Sequence, residues 1–224
     1  MNNYDGIISL LIACIEFVFI INLLIFTEKN TTNKLVLGIV AVLFIYQFIE
    51  FLICFVGLHN QLMIYFAFLD ITLLPPFGLY TVLKYSGKLK SHHKYIFIPA
   101  LFFIIYYPFV LEQFAVTKCT VLYASYNYPL GEVYGILYYL PILGSMIILN
   151  KKWGSDTDVL QKKNTRLFFF GYLFTFLPAM IIAILIPSFM SAVESLLCKL
   201  AFVFATFLFI FVLKNKTTKK QEIL

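Results

Sequence analysis

Seven apolar stretches, each near the length that a helix needs to cross a bilayer, constrain this chain more than any other feature. They cover residues 6–27, 35–57, 62–83, 95–112, 133–149, 167–187 and 192–213. A helix rises 1.5 Å per residue, so about 20 residues span the hydrocarbon layer. Inside that layer the backbone must satisfy its own hydrogen bonds, which favours helices over irregular chain. The sequence therefore predicts an all-α, polytopic membrane protein: a seven-transmembrane helix bundle over 1–213 and a short basic tail over 214–224. The first stretch has neither a basic leader nor a small-residue cleavage site, so it reads as a retained span. Composition agrees, with 62% hydrophobic and only 12% charged residues, against roughly a quarter charged in soluble domains.

The lysines give the expected orientation. Fifteen of the seventeen Lys and Arg residues fall in connections 28–34, 84–94 and 150–166 or in the tail, all on one side of the seven-span layout. Lys118 stands alone on the other side, and Lys199 lies within the last span. Cytoplasmic connections collect Lys and Arg, which places the N-terminus outside and the C-terminus inside a plasma membrane. The net charge of +6 is thus a topology signal, with the bilayer as partner, and no nucleic acid is expected.

The outer connection 113–132 contains Val116, Thr117, Thr120, Val121, Tyr123 and Tyr126. That composition suits a strand hairpin forming a lid, with an irregular connector the equal alternative. Cys14, Cys54 and Cys198 fall inside apolar stretches, where a thiol acts as a small hydrophobe. Cys119 has no obvious partner in its loop, and no disulfide framework or metal spacing is expected. No cofactor is implied.

Ionisable groups inside spans are the candidate site. They are Glu16 in span one, Glu50 in span two, Asp70 in span three and Lys199 in span seven, accompanied by Gln47 and by Glu194 near the outer mouth. A lone charge at the bilayer centre costs roughly 2.5–3.5 kcal/mol on insertion scales, so these groups should face inward and find partners. Asp70 is the first expected partner of Lys199, with Glu50 and Glu16 next. Pro75 and Pro76 cannot donate to the carbonyls of Ile71 and Thr72, which opens acceptors beside Asp70. Together these residues predict an outer-half pocket suited to a small zwitterion or amine. A closed salt-bridge network and a plain proline kink are the structural alternatives.

Asn33-Lys34-Leu35 opening span two, Glu50 near its end, Pro75-Pro76 followed by Tyr85-Ser86-Gly87, and Tyr134-Gly135-Ile136-Leu137-Tyr138 opening span five carry a resemblance. Together they resemble the seven-transmembrane sensor region of bacterial histidine kinases. The resemblance implies a receptor-like sensory module and no catalytic residues. No kinase, cyclase or phosphatase segment follows span seven here, so output would pass to a separate cytoplasmic signalling protein. A small-solute transporter or an intramembrane enzyme is the alternative function. No H-E-x-x-H or G-x-S-x-G motif is present to support an enzyme. A retinal-binding rhodopsin is disfavoured, because no span carries Trp, span three has no Arg and Lys199 comes early in its helix.

Overall fold

The computed structural model describes residues 4–121, 124–185 and 190–215. Its helices are α1 (Ile7–Phe26), α2 (Thr31–Cys54), α3 (Gln61–Tyr85), α4 (Ile98–Tyr106), α5 (Gly131–Ser155), α6 (Val159–Leu185) and α7 (Met190–Lys214). Short 3-10 segments, Ser91–Phe97 and Tyr107–Gln113, flank α4. Strands β1 (Ala115–Cys119) and β2 (Ala124–Asn127) form an antiparallel hairpin between α4 and α5. Among the described residues, six of the helical segments, α4 counted with its flanks, are long and apolar enough to cross a membrane.

Two helix starts are set by a local side-chain signal. Asn30 caps α2 by accepting from the Asn33 amide at 2.8 Å, and Asn60 caps α3 through Leu62 at 2.7 Å. Asn caps because its side-chain oxygen replaces a missing intrahelical acceptor. Helix α2 packs against α1, α3 and α7; α5 bridges α3 and α6; and α6 lies along α7. Their shared core includes Val36, Ile39, Leu43, Phe68, Phe204 and Leu208. The opposite surfaces keep large apolar side chains exposed, among them Leu11, Phe17, Ile25, Ile105, Ile136 and Ile147. A water-facing surface of that kind would be a contiguous liability; against lipid it is the appropriate solvent match.

The two ends of the bundle differ. One holds the start of α1, the end of α2 and the hairpin. At the other, Asn33 at the base of α2 and Asn215 after α7 exchange side-chain bonds, with Asn215 Nδ2 donating to Asn33 Oδ1 at 2.9 Å. The lysine-bearing turns between α1 and α2, α3 and α4, and α5 and α6 share this second end.

Several sequence expectations need correction. The connection expected over 150–166 shrinks to the turn between Ser155 and Val159, because α5 and α6 continue beyond their apolar stretches. Lys152 pairs with Asp156 at 2.9 Å, and Asp158 accepts from the Leu160 amide to start α6. Of the two readings for Pro75 and Pro76, the opened turn is not observed: helix α3 is continuous through both. The end expected for span six, Pro187, lies outside the described residues. Of the two readings for the outer connection, the hairpin is the one observed.

Cys119 does have a partner, contrary to expectation: it forms a disulfide with Cys54, 65 residues away. Cys54 ends α2 inside an apolar stretch, so its thiol reads as core until the hairpin is folded over it. Gly6 completes the junction. Its amide donates to the Thr120 carbonyl at 3.1 Å, its φ is +77°, and a Cβ there would stand 2.9 Å from Cys54 Cβ. Both the left-handed backbone and the close approach call for glycine.

A cross-link closing a long loop typically contributes about 2–4 kcal/mol. Cys54→Ser or Cys119→Ser should therefore lower stability by about that amount. Non-reducing peptide mapping should recover the linked pair from the wild-type protein. Free thiols at both positions in the unreduced protein would contradict the cross-link.

Candidate functional site

The strongest polar feature is an ammonium held between three helices. Lys199 on α7 donates from Nζ to Ser9 Oγ on α1 and to Gln47 Oε1 and Glu50 Oε1 on α2, each at 2.8 Å. Ser9 in turn donates to Glu50 Oε1 at 3.3 Å. An ammonium has three protons, and all three are engaged. Ser9, Gln47 and Glu50 are buried, so this is a largely desolvated ion pair in which every ammonium proton has an acceptor. The helical geometry explains the set: Gln47, Glu50 and Cys54 lie at i, i+3 and i+7 on one face of α2, turned to α1 and α7.

The sequence brought Glu50, Gln47 and Lys199 to one place, but misassigned the ion pair. Lys199 bonds Glu50, not Asp70. The reason is helix order: α2 packs directly on both α1 and α7 and also on α3, so it presents Glu50 to Lys199 while Asp70 lies on α3. Asp70 is buried, and its Oδ2 has no hydrogen-bond partner among the described residues. Glu16 is fully buried on α1, with neither carboxyl oxygen hydrogen-bonded among those residues. The Glu194 side chain lies outside the described residues.

Thr72 belongs to a second place. Its hydroxyl donates to the Phe68 carbonyl and lies 3.0 Å from Tyr134 Oη. With Pro75, Pro76, Phe103, Tyr134 and Pro141 it lines a crevice of about 20 Å³, room for about one water. Above it, the Phe68 ring is enclosed by aromatic neighbours, with centroids of Tyr128 at 4.4 Å, Phe114 at 5.2 Å and Tyr126 at 5.6 Å. Offset and edge-on ring pairs of this kind add to area burial and seat the hairpin on α3. Glu50 and Lys199 do not border this crevice, so the expected floor of the pocket and its expected charged wall are separate places.

A third polar group was not singled out from sequence. Thr165 on α6 donates to Asp156 Oδ2 at 2.6 Å and lies 3.0 Å from Tyr85 Oη of α3. With the Thr165 proton committed to Asp156, Tyr85 is the donor. Lys152 pairs with Asp156 and sits 5.3 Å from the centre of the Tyr85 ring. This joins α3, α5 and α6 at the lysine-rich end. Tyr85 comes from a stretch 67 residues before Lys152, so spacing along the chain shows the Lys152–Asp156 pair but not its junction with α3.

No protein-family model, curated protein or solved structure matches the chain.

Removing one partner of a buried pair typically costs about 3–5 kcal/mol, while replacing both is far milder. Lys199→Met should show a loss of that size in thermal unfolding in detergent. Adding Glu50→Gln should recover part of it, and adding Asp70→Asn should recover none. Recovery by Asp70→Asn alone would assign the pair to the wrong carboxylate.

Proposed function

We propose that this chain is a seven-span plasma-membrane protein, N-terminus outside and C-terminus inside, acting as a receptor-like sensory module. Helix α7 supplies the seventh span. The hairpin end faces outward, where an oxidising medium favours the Cys54–Cys119 disulfide, and the lysine-rich end faces the cytoplasm.

The observation that carries the sensory reading is mechanical. Cys54 and Glu50 are four residues apart on α2, one helical turn. The outer hairpin is therefore covalently attached one turn above the buried ion pair that joins α1, α2 and α7. A small ligand engaging the hairpin and the outer ends of the helices would bias α2. Any shift of α2 must be accommodated at Lys199, because packed interfaces switch between arrangements and do not deform continuously. A zwitterion or amine is the proposed ligand class; the buried polar residues, divided between the Lys199 group and the Thr72 crevice, would respond to its binding at the hairpin end and not enclose it. Output would pass at the lysine-rich end to a separate cytoplasmic signalling protein.

Orientation is tested by impermeant thiol labelling of intact cells. Gln113→Cys should react from outside and Ser155→Cys only after permeabilisation, while native Cys119 should react only after reduction. Outside labelling of Ser155→Cys would invert the layout.

The sensory role is tested in liposomes, with primary amines and zwitterionic amino acids as probes. The expected result is saturable thermal stabilisation by a probe without its passage across the vesicle. Flux or chemical conversion of the stabilising probe would replace sensing by transport or catalysis.

A further inference from the structure

The face of α1 that meets Lys199 carries a second carboxyl. Ser9, Ile12, Ala13 and Glu16 are its buried residues over this stretch, spaced i, i+3, i+4 and i+7, so they form one stripe. Lys199 is bonded to Ser9 at one end of that stripe. Glu16 stands at the other end, about 10 Å further along at 1.5 Å per residue. It is fully buried, neither of its oxygens is hydrogen-bonded among the described residues, and it lies within electrostatic reach of Lys199.

Ring contacts fix the relation between the two helices. Both α1 and α7 run from the hairpin end toward the lysine-rich end, and the Phe19 ring of α1 stacks on Phe202 and Phe209 of α7, with centroids at 6.3 and 4.5 Å. The Lys199 backbone therefore stands about one turn nearer the hairpin than that of Glu16. Helical side chains lean toward the N-terminus, and the Lys199 stem does so here, reaching back to Ser9, Gln47 and Glu50. Its flexible four-carbon stem allows the ammonium to swing the other way along α1, toward the Glu16 carboxyl, which itself leans back toward the hairpin end.

We propose that Glu16 is a second station for Lys199, so that the ammonium exchanges its bond to Glu50 for one to Glu16 when α2 shifts relative to α1 and α7. One Nζ–H···O bond breaks and another forms, and no proton changes owner. Glu50 retains the Ser9 hydroxyl as a donor. A buried acid left without a bonding partner is costly, and the exchange gives it one in the second arrangement. The signalling meaning of the exchange rests on the sensory reading above; the exchange itself does not.

A double-mutant cycle tests it, using the full chain in nanodiscs with Glu16→Gln, Glu50→Gln and both. Either single variant should lower the melting temperature less than the double variant does, since one carboxyl group still accepts from Lys199. The double variant should lose more than the sum of the singles. Additive losses, or a Glu50→Gln loss equal to that of the double variant, would overturn the proposal.

A second measurement keeps the test independent of whether the double variant folds. Spin labels at Lys34→Cys on α2 and Lys214→Cys on α7 report their relative position. The Glu50→Gln variant should shift that distance distribution away from wild type, and Glu16→Gln should narrow it toward the arrangement described here. An unchanged distribution in Glu50→Gln would overturn the two-station model. Neither readout involves a ligand, so failure here leaves the liposome result standing, and failure there leaves this cycle interpretable.

Discussion

A lysine ammonium sealed among helices cannot stay without acceptors, and much of this bundle is arranged around that demand. Lys199 is largely withdrawn from solvent, so α1 brings Ser9 and α2 brings Gln47 and Glu50 to within 2.8 Å of its nitrogen. That fixes the rotation of α2 about its own axis. With Gln47 and Glu50 turned to α1 and α7, a different face of α2 remains for α3. There Gly38 leaves room for the ring of Phe77, whose atoms come within 2.9 Å of where a Cβ would stand. The order of neighbours follows from one charge and a helical repeat.

The hairpin adds a second constraint at the same end. The disulfide holds β1 to the tip of α2, the Gly6 amide holds the following turn to the start of α1, and the ring cluster around Phe68 seats the hairpin on α3. The opposite end is held differently, by the Asn33–Asn215 exchange and the Tyr85–Thr165–Asp156 group. A covalent clamp at one end and replaceable hydrogen bonds at the other make relative motion cheaper at the lysine-rich end. That asymmetry is what a bundle would need to receive a signal at the clamped face and express it at the other.

What was legible in the sequence was governed by solvent. Apolar stretches of bilayer length marked where the helical segments lie, six of them long and apolar enough among the described residues to cross a membrane, because burial in lipid acts on each stretch by itself; the 3-10 flanks of α4 were not foreseen. The Gln47–Glu50–Cys54 stripe was also legible, since it obeys the period of a single helix. Errors arose wherever two distant elements had to be combined. The partner of Lys199 depends on which helix is its neighbour, the pairing of Cys54 on where the hairpin folds, and the Tyr85–Thr165–Asp156 group on three helices at once. The extended ends of α5 and α6 were missed for another reason: past the apolar stretch, caps and an i,i+4 pair at Lys152 and Asp156 sustain the helix without hydrophobicity.

The two unbonded carboxyls are not equivalent. Asp70 lies on α3 beside its paired prolines. Thr72, two residues on, directs its hydroxyl to Phe68 and Tyr134, so the local donors serve the crevice and not Asp70. Glu16 instead shares a stripe with a bonded partner of Lys199 and lies within electrostatic reach of that lysine. If burial alone explained both, their neighbourhoods would have no reason to differ in access to a mobile cation. A carboxyl placed along the swing of a lysine already shared by three helices gives the bundle two ways to satisfy the same charge. Two nearly equivalent ways to satisfy one buried charge are the minimum physical requirement for a switch.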